Sequence, residues 1–259
     1  MIIDSHFHTQ SMLKRSQHLP DNLIGIDIGL GPGDYPERSK LLPPSRKIFA
    51  SIASGPWRLD EKDFISPLED ILQLEKDAKL YTPDAIGECG FDRHWNYGTP
   101  ELQTELFLLQ AELASKLDLP LIIHTRDSDK DIEAAFSSSS FRCKAVMHCF
   151  SSAPELCIKA LDKGLYISFA GNVTYKGNQH IRDAARLVPP DRILVETDSP
   201  YLAPVPMRGK PCNPAYTEYT LNVLAEVRGE DREDLKIQIE KNLYSFLGRE
   251  ESVRKLEIA

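Results

Sequence analysis

Residues 120–126 read PLIIHTR, a continuous apolar run that ends in histidine, threonine and arginine. Runs of this kind recur along the chain, and stretches with helical periodicity separate them. Continuous apolar runs are typical of parallel strands that are covered on both faces. Eight strands are predicted in this way, at residues 1–6, 23–29, 47–53, 84–88, 120–124, 143–148, 165–169 and 192–196.

The segments between these strands carry start and stop signals of helices. Residues 66–69 (SPLE) offer an N-cap serine, a proline at the first helical position and a capping-box glutamate. Residues 152–155 (SAPE) repeat this arrangement, so Ser152 is expected to cap the next helix, and Gly164 is expected just beyond its end. Residues 214–259 are predicted to form two further helices that pack on the outside.

Eight alternations of strand and helix predict an α/β fold, and a closed (β/α)₈ TIM-type barrel is its most economical form. The length of 259 residues is close to that of one such barrel, so residues 1–259 are expected to form a single domain. An open, doubly wound sheet is the alternative. No G-x-G-x-x-G or Walker sequence follows a strand, which disfavours it.

Composition limits the classes of function. The net charge of −8 disfavours extended, non-specific nucleic-acid binding, although bound metal ions can supply positive charge locally. The first residues resemble no signal peptide, and no apolar run is long enough for a membrane helix. Five cysteines in no metal or disulfide pattern are expected to be free thiols. We therefore expect a cytoplasmic protein without membrane contact, and a monomer.

Residues of metal-ligand type fall at the predicted C-terminal ends of five strands: His6, His8, Glu88, His124, His148 and Asp198. In a barrel these ends converge on one mouth, where active sites are built. His6 and His8 point to the same side of their strand, so both imidazoles can face one ion. A single strand histidine is usually a hydrogen-bonded core residue, but the joint placement favours a metal site. Imidazole with carboxylate suits zinc, manganese or iron, and carboxylate with water suits magnesium.

Six segments, taken in order, resemble the signatures of the TatD-type metal-dependent deoxyribonucleases, a branch of the amidohydrolase superfamily. They are residues 4–8 (DSHFH), 87–92 (GECGFD), 120–126 (PLIIHTR), 148–151 (HCFS), 168–171 (SFAG) and 196–204 (ETDSPYLAP). The resemblance extends over nearly the whole chain. It implies that the six residues above are metal ligands, that Glu88 bridges two divalent ions (magnesium, manganese or zinc), and that DNA ends or other phosphodiesters are substrates.

One segment departs from the family pattern. After residues 208–210 (RGK) the family commonly continues into Asn-Glu-Pro, whereas residues 211–214 read PCNP. Asn213 therefore takes the place of the usual glutamate. If that position shapes the substrate pocket, we expect specificity to differ from that of typical members, while the metal ligands remain complete.

These residues suggest a mechanism. Two ions about 3.5–4 Å apart can hold the attacking and leaving oxygens of a phosphodiester displacement. His6 and His8 are expected to bind one ion and His124 and His148 the other. Glu88 and Asp198 are the predicted catalytic residues, with Asp198 both a ligand and the general base for a water molecule.

Four further residues are candidates for substrate contact: His94, Arg126, Arg208 and Lys210. Arg126 follows His124 by two residues and could hold a phosphate, or it could pair with Asp127 or Asp129. His94 lies just past strand 4. Arg208 and Lys210 follow strand 8, where barrels often bind phosphate, although a solvated basic loop is the alternative.

Three functions remain open from the sequence. The first is phosphodiester hydrolysis, as a 3′-to-5′ exonuclease. The second is metal-dependent hydrolysis of an ester or amide, such as deacylation of D-aminoacyl-tRNA, because the same chemistry attacks phosphorus or carbonyl centres. Predicted strand 4 provides Glu88 and no lysine. The chain therefore lacks the carbamylated-lysine arrangement that resembles dihydroorotase or urease, which disfavours cyclic amides as substrates. The third is a non-catalytic metal-binding protein.

Overall fold

The structure is a computed structural model and describes residues 1–43, 47–139 and 141–249. Its eight strands form one parallel sheet in sequential order, β1 to β8. They are Ile2–Phe7 (β1), Leu23–Asp27 (β2), Ile48–Ile52 (β3), Ala85–Asp92 (β4), Leu121–Arg126 (β5), Ala145–Met147 (β6), Tyr166–Phe169 (β7) and Ile193–Val195 (β8). This order confirms the predicted (β/α)₈ barrel.

Helices cover the outside of the sheet. They are Thr9–Leu13 (α1), Tyr35–Ser39 (α2), Pro67–Tyr81 (α3), Pro100–Leu117 (α4), Asp129–Ala135 (α5), Pro154–Asp162 (α6), Gln179–Leu187 (α7), Thr217–Arg228 (α8) and Arg232–Phe246 (α9). Helices α8 and α9 are the two predicted at the C-terminal end, whereas residues 250–259 lie outside the described residues. None of the helices that the structure describes is both long and apolar enough to cross a bilayer.

The predicted helix signals succeed at α3 and partly fail at α6. The hydroxyl of Ser66 accepts a hydrogen bond from the Glu69 N–H at 3.2 Å, as the capping box predicts. Ser152 does not cap α6. Its hydroxyl donates to the Asp129 carboxylate at 2.7 Å, because Ala153 occupies the N-cap position. Gly164 follows the end of α6 with φ of +78°, as expected of a residue beyond a helix C-terminus.

Strand β4 is longer than predicted, and two glycines explain how it packs. A Cβ at Gly90 would lie 2.0 Å from the carbonyl oxygen of His124, and one at Gly87 would lie 2.4 Å from that of Ile122. Both glycines also have positive φ, +121° at Gly87 and +152° at Gly90. The backbones of β4 and β5 therefore approach closely on either side of Glu88. Glu88 lies in the middle of the strand rather than at its end.

The two ends of the sheet meet between β1 and the segment after β8. The Asp198 N–H donates to the His6 carbonyl at 3.0 Å, and Phe7 forms a parallel bridge with Ser199. The buried carboxylate of Asp4 accepts hydrogen bonds from the backbone N–H and the hydroxyl of Thr197, at 3.0 and 2.5 Å. This seam places Asp198 beside the histidines of β1.

Candidate metal-dependent active site

A cavity of about 800 Å³ opens at the C-terminal ends of the strands. Five of the six predicted ligands line it: His8, Glu88, His124, His148 and Asp198. The sixth, His6, is fully buried behind them. The structure thus brings together all six residues that the sequence singled out, and they form two groups.

The first group, which we name the β1 group, consists of His6, His8 and Asp198. The Nε2 atoms of His6 and His8 lie 3.3 Å apart. The Oδ1 atom of Asp198 is 3.2 Å from Nε2 of His8 and 3.7 Å from Nε2 of His6. Asp198 has φ of +56°, a left-handed conformation that aspartate tolerates better than most residues. Three donor atoms therefore converge on one point.

The second group, the β5–β6 group, consists of Glu88, His124 and His148. The Oε1 atom of Glu88 lies 2.8 Å from both Nδ1 of His124 and Nε2 of His148. Its other oxygen, Oε2, lies 3.3 Å from Nε2 of His6. One carboxylate therefore faces both groups, with a different oxygen toward each.

Two further carboxylates contact the histidines of the second group, each through the ring nitrogen that does not face Glu88. Neither of them was assigned a role from the sequence. Asp92 Oδ2 lies 3.3 Å from Nε2 of His124, and Glu196 Oε1 lies 3.2 Å from Nδ1 of His148. The signal for Asp92 was its spacing, since residues 88 and 92 of one strand project to the same side. It was missed because β4 was predicted to end at residue 88. Glu196 ends predicted strand 8 and so carries the same strand-end signal as the predicted ligands, but Asp198 was assigned as the ligand from that strand.

Burial and neighbouring charges set the protonation of these groups. Desolvation, together with the charge of the stacked His148, lowers the pKa of His6 to about 4. Burial also opposes protonation of His148, but Glu88 and Glu196 outweigh it and raise its pKa well above the usual range. Burial would raise the pKa of Glu88, yet His148 and His6 hold it well below normal. Glu88 is therefore anionic and His6 neutral, the forms that bind metal, whereas His148 is protonated and must lose its proton to bind a metal ion.

The donor set fits divalent metal ions. Each group offers histidine nitrogens and a carboxylate oxygen within 4.8 Å of one another, a mixture that suits zinc or manganese. In the His6–His8 pair and in the His124–His148 pair, two imidazole nitrogens lie only 3.3 Å apart. Both nitrogens of a pair are thus placed to bind the same cation. The carboxylates behind His124 and His148 are the second partners that metal-binding histidines usually have. These residues could hold one ion in each group.

The predicted substrate contacts lie in different places. Arg126 lines the cavity, and its guanidinium stands over the ring of Trp95 at 5.8 Å. Asp127 and Asp129, its alternative partners, contact His94 and Ser152 instead. The described lining does not include the other three candidates. His94 contacts Asp127, Arg208 stands 4.5 Å above the Tyr175 ring, and Lys210 is exposed in the loop after β8.

Asn213 has structural contacts outside the cavity lining. Its side chain accepts a hydrogen bond from the Ala215 N–H at the start of a short 3-10 helix, Pro214–Tyr216. Its amide donates to Gln17 and to the carbonyl of His18, at 3.2 and 3.0 Å. These bonds tie the segment after β8 to the loop after α1, so Asn213 acts here as a cap and a tether.

Nearly the whole chain is similar to a known protein family. The family model of the TatD-related DNases matches residues 3–248. An uncharacterized metal-dependent hydrolase of Escherichia coli, YcfH, is 43% identical over 169 residues, which are 65% of this chain and 63% of that protein. The match thus spans less than two thirds of that relative. The 3′-5′ ssDNA/RNA exonuclease TatD of Citrobacter rodentium is 32% identical over 201 residues, 75% of this chain and 73% of that protein.

The fold has a close counterpart among solved structures. A TatD homolog from Escherichia coli K12 superposes with a TM-score of 0.79 and covers 95% of this chain and 97% of its own. The two sequences are 22% identical, so this likeness concerns the fold alone. The family model extends over nearly the whole chain and includes every residue of the two metal-ligand groups. This chain belongs to the TatD-related DNase family.

Proposed function

We propose that this protein is a metal-dependent phosphodiesterase that removes nucleotides one at a time from the 3′ end of single-stranded nucleic acid. The observation that carries the proposal is the position of Glu88, whose two oxygens face separate histidine groups. Such a shared carboxylate suits two ions that act on one phosphate. The name of the Citrobacter relative supports the polarity and the single-stranded substrate.

In this proposal His6, His8 and Asp198 would hold one divalent ion, His124 and His148 would hold the other, and Glu88 would offer one carboxylate oxygen to each. Magnesium, manganese and zinc are the candidate metals. Bound there, the ions would supply positive charge for the phosphate oxygens and make a water molecule more acidic. Asp92 and Glu196 would fix the ring orientations of His124 and His148 through their 3.3 and 3.2 Å contacts.

The remaining chemistry falls to side chains that reach the cavity. Asp198 is the general base in this proposal, because its side chain is 16% exposed and lines the cavity while Oδ1 faces His8. Its Oδ2 atom would accept the proton of the attacking water. Arg126 would bind a phosphate oxygen. His94, Arg208 and Lys210 remain predicted contacts for parts of the substrate outside the cavity.

The named relatives favour phosphodiester hydrolysis over the ester, amide and non-catalytic alternatives. The proposal includes a reducing, cytoplasmic location, which the five free cysteines support, and a monomeric state.

The test follows degradation of a single-stranded oligonucleotide labelled at either end, with magnesium, manganese or zinc and with EDTA as control. Attack from the 3′ end predicts a ladder of shortened products from the 5′-labelled strand and immediate release of the label from the 3′-labelled strand. A His124→Ala, Asp198→Asn double variant, purified in parallel, controls for contaminating nuclease. If metal-loaded protein releases no nucleotide, the proposal is wrong, and aminoacyl esters become the next substrates to assay.

A further inference from the structure

Two large aromatic side chains stand exposed at the rim of the catalytic cavity. Trp95, in the loop after β4, is 59% exposed, and Tyr201, in the segment after β8, is 44% exposed. Both line the cavity. Elsewhere large aromatic residues such as Phe91 and Phe169 are completely buried. Apolar surface left open beside a site marks a place where a ligand packs.

The guanidinium of an arginine lies over each of these two rings. The guanidinium of Arg126 lies 5.8 Å from the centre of the Trp95 ring, and that of Arg15 lies 5.1 Å from the centre of the Tyr201 ring. Both arginines are exposed. With a guanidinium over one face, each exposed ring has its opposite face for a flat base, and the cation lies near enough for the phosphate that adjoins that base. We name these pairs the Trp95 platform and the Tyr201 platform.

The platforms adjoin different groups of the candidate metal site. The ring of Tyr201 lies 6.1 Å from the ring of His8, in the β1 group. Arg126 of the Trp95 platform follows His124 of the β5–β6 group by two residues on β5. Because Glu88 faces both groups, a phosphodiester bound there through metal ions would have the Tyr201 platform toward the β1 group and the Trp95 platform toward the β5–β6 group.

We propose that Trp95 and Tyr201 stack on the two nucleobases that flank the scissile phosphodiester, and that Arg126 and Arg15 contact the two phosphates at this end of the strand, the scissile one and the next one toward the 5′ end. This inference rests on the proposed function and adds the residues that select its substrate. A base inside a duplex is covered by its neighbours and cannot offer a free face, so the platforms accept unpaired nucleotides. They also read no base edge, so they tolerate any sequence.

The experiment removes the aromatic face from the protein and the base from the substrate. Single-stranded oligonucleotides carry one abasic site at the last, the penultimate or the fourth position from the 3′ end. We expect an abasic site at either of the two terminal positions to lower kcat/KM of the wild type by about tenfold, and one at the fourth position to leave it unchanged. On the intact strand, Trp95→Ala should lower kcat/KM by about the same factor. On the strand that lacks the base held by Trp95, the variant should show no further loss. Tyr201→Ala should couple in this way to the other terminal position.

Two controls separate stacking from damage to the fold. Trp95→Phe keeps an aromatic face and should recover most of the loss. Leu80→Ala removes an exposed apolar side chain of α3 that does not line the cavity, and should change neither rate nor abasic sensitivity. Binding of manganese to each variant, followed by calorimetry, shows whether the metal site has stayed intact.

The outcomes distinguish this inference from the function on which it rests. If the wild type releases nucleotides but the losses from Trp95→Ala and from the abasic sites simply multiply at every position, the platforms do not hold bases. Equal rates on single strands and blunt duplexes would also overturn the inference, although not the nuclease activity. If the wild type releases no nucleotide with any metal, the proposed function itself has failed.

Discussion

Glu88 is the side chain on which both histidine groups depend. Its oxygens lie 2.8 Å from His124 and His148 and 3.3 Å from His6. The six candidate ligands could be recognised from the sequence because each one lies at or near the end of a predicted strand, although β4 continues past Glu88 to Asp92. The roles of Asp92 and Glu196 could not, because a residue's place on a strand does not tell which histidine its carboxylate contacts. Nor could the pairing of Asp127 with His94, which depends on how two loops meet.

Replacing Asp198 by asparagine tests the general base. The amide keeps the size of the side chain and tolerates the left-handed backbone, but it cannot accept the proton. We expect kcat to fall by about 10²- to 10⁴-fold. The rate is measured on labelled single-stranded DNA at saturating metal, and the metal content of the variant is determined alongside. A variant that binds metal and retains full activity would exclude this role.

Replacing Asp92 by asparagine tests the carboxylate behind His124. The histidine would lose the anionic partner at 3.3 Å, and Glu88 would be left to oppose the effect of burial on its pKa. We expect metal affinity to drop by about 10- to 100-fold. Titration with manganese measures the affinity. Asp60→Asn, a change of an aspartate that bonds only the Gly98 N–H among the described residues, serves as control. An unchanged affinity in Asp92→Asn would mean that Asp92 does not orient the ligand.

The sequence predicted that β4 is a strand, but it placed the end of that strand four residues too early. Its apolar start was evident, but residues 87–92 contain two glycines and two carboxylates, which read as a loop in a sequence. The strand continues because Gly87 and Gly90 let it lie close to β5. Helix α6 gives the opposite lesson. Its SAPE segment looks like a capping box, yet tertiary contact with Asp129 takes the serine hydroxyl away.

The close approach of β4 and β5 predicts that Gly90→Ala is destabilising. The added Cβ would meet the His124 carbonyl oxygen at 2.0 Å, at a positive φ that disfavours side chains. We expect a loss of about 1–3 kcal/mol in the free energy of unfolding, measured by denaturant titration. Weakened metal binding should accompany it, because His124 lies at the point of contact. Gly31→Ala, where nothing lies within 4 Å of the new Cβ, is the matched control. Equal stability of the two variants would contradict this description of the strands.

Two features organise the whole barrel: the contact between β1 and the segment after β8, and the cavity at the C-terminal ends of the strands. The barrel could be predicted because eight apolar runs and a suitable length leave few alternatives. The aromatic rim of the mouth could not, because Trp95 and Tyr201 lie in loops whose positions only the closed barrel determines.

Metal binding should stabilise the entire fold, since the ligands come from strands all around the barrel. Ligands that bind only the folded state at a thousandfold excess over Kd add about 4 kcal/mol. For a chain of this size we therefore expect Tm to rise by roughly 10 °C on addition of manganese or zinc, and EDTA to reverse the rise. Scanning calorimetry measures it. The rise should be much smaller in Glu88→Gln, and an equal rise in that variant would mean that the ions bind elsewhere.

The most direct test of the shared carboxylate counts the metal ions. Protein dialysed against manganese or zinc is analysed for metal per chain, for the wild type and for His8→Ala and His148→Ala. We predict two ions per chain in the wild type, one in each histidine variant, and loss of both in Glu88→Gln. A wild type that holds one ion or none, or a Glu88→Gln variant that keeps two, would contradict the account of a centre built on Glu88.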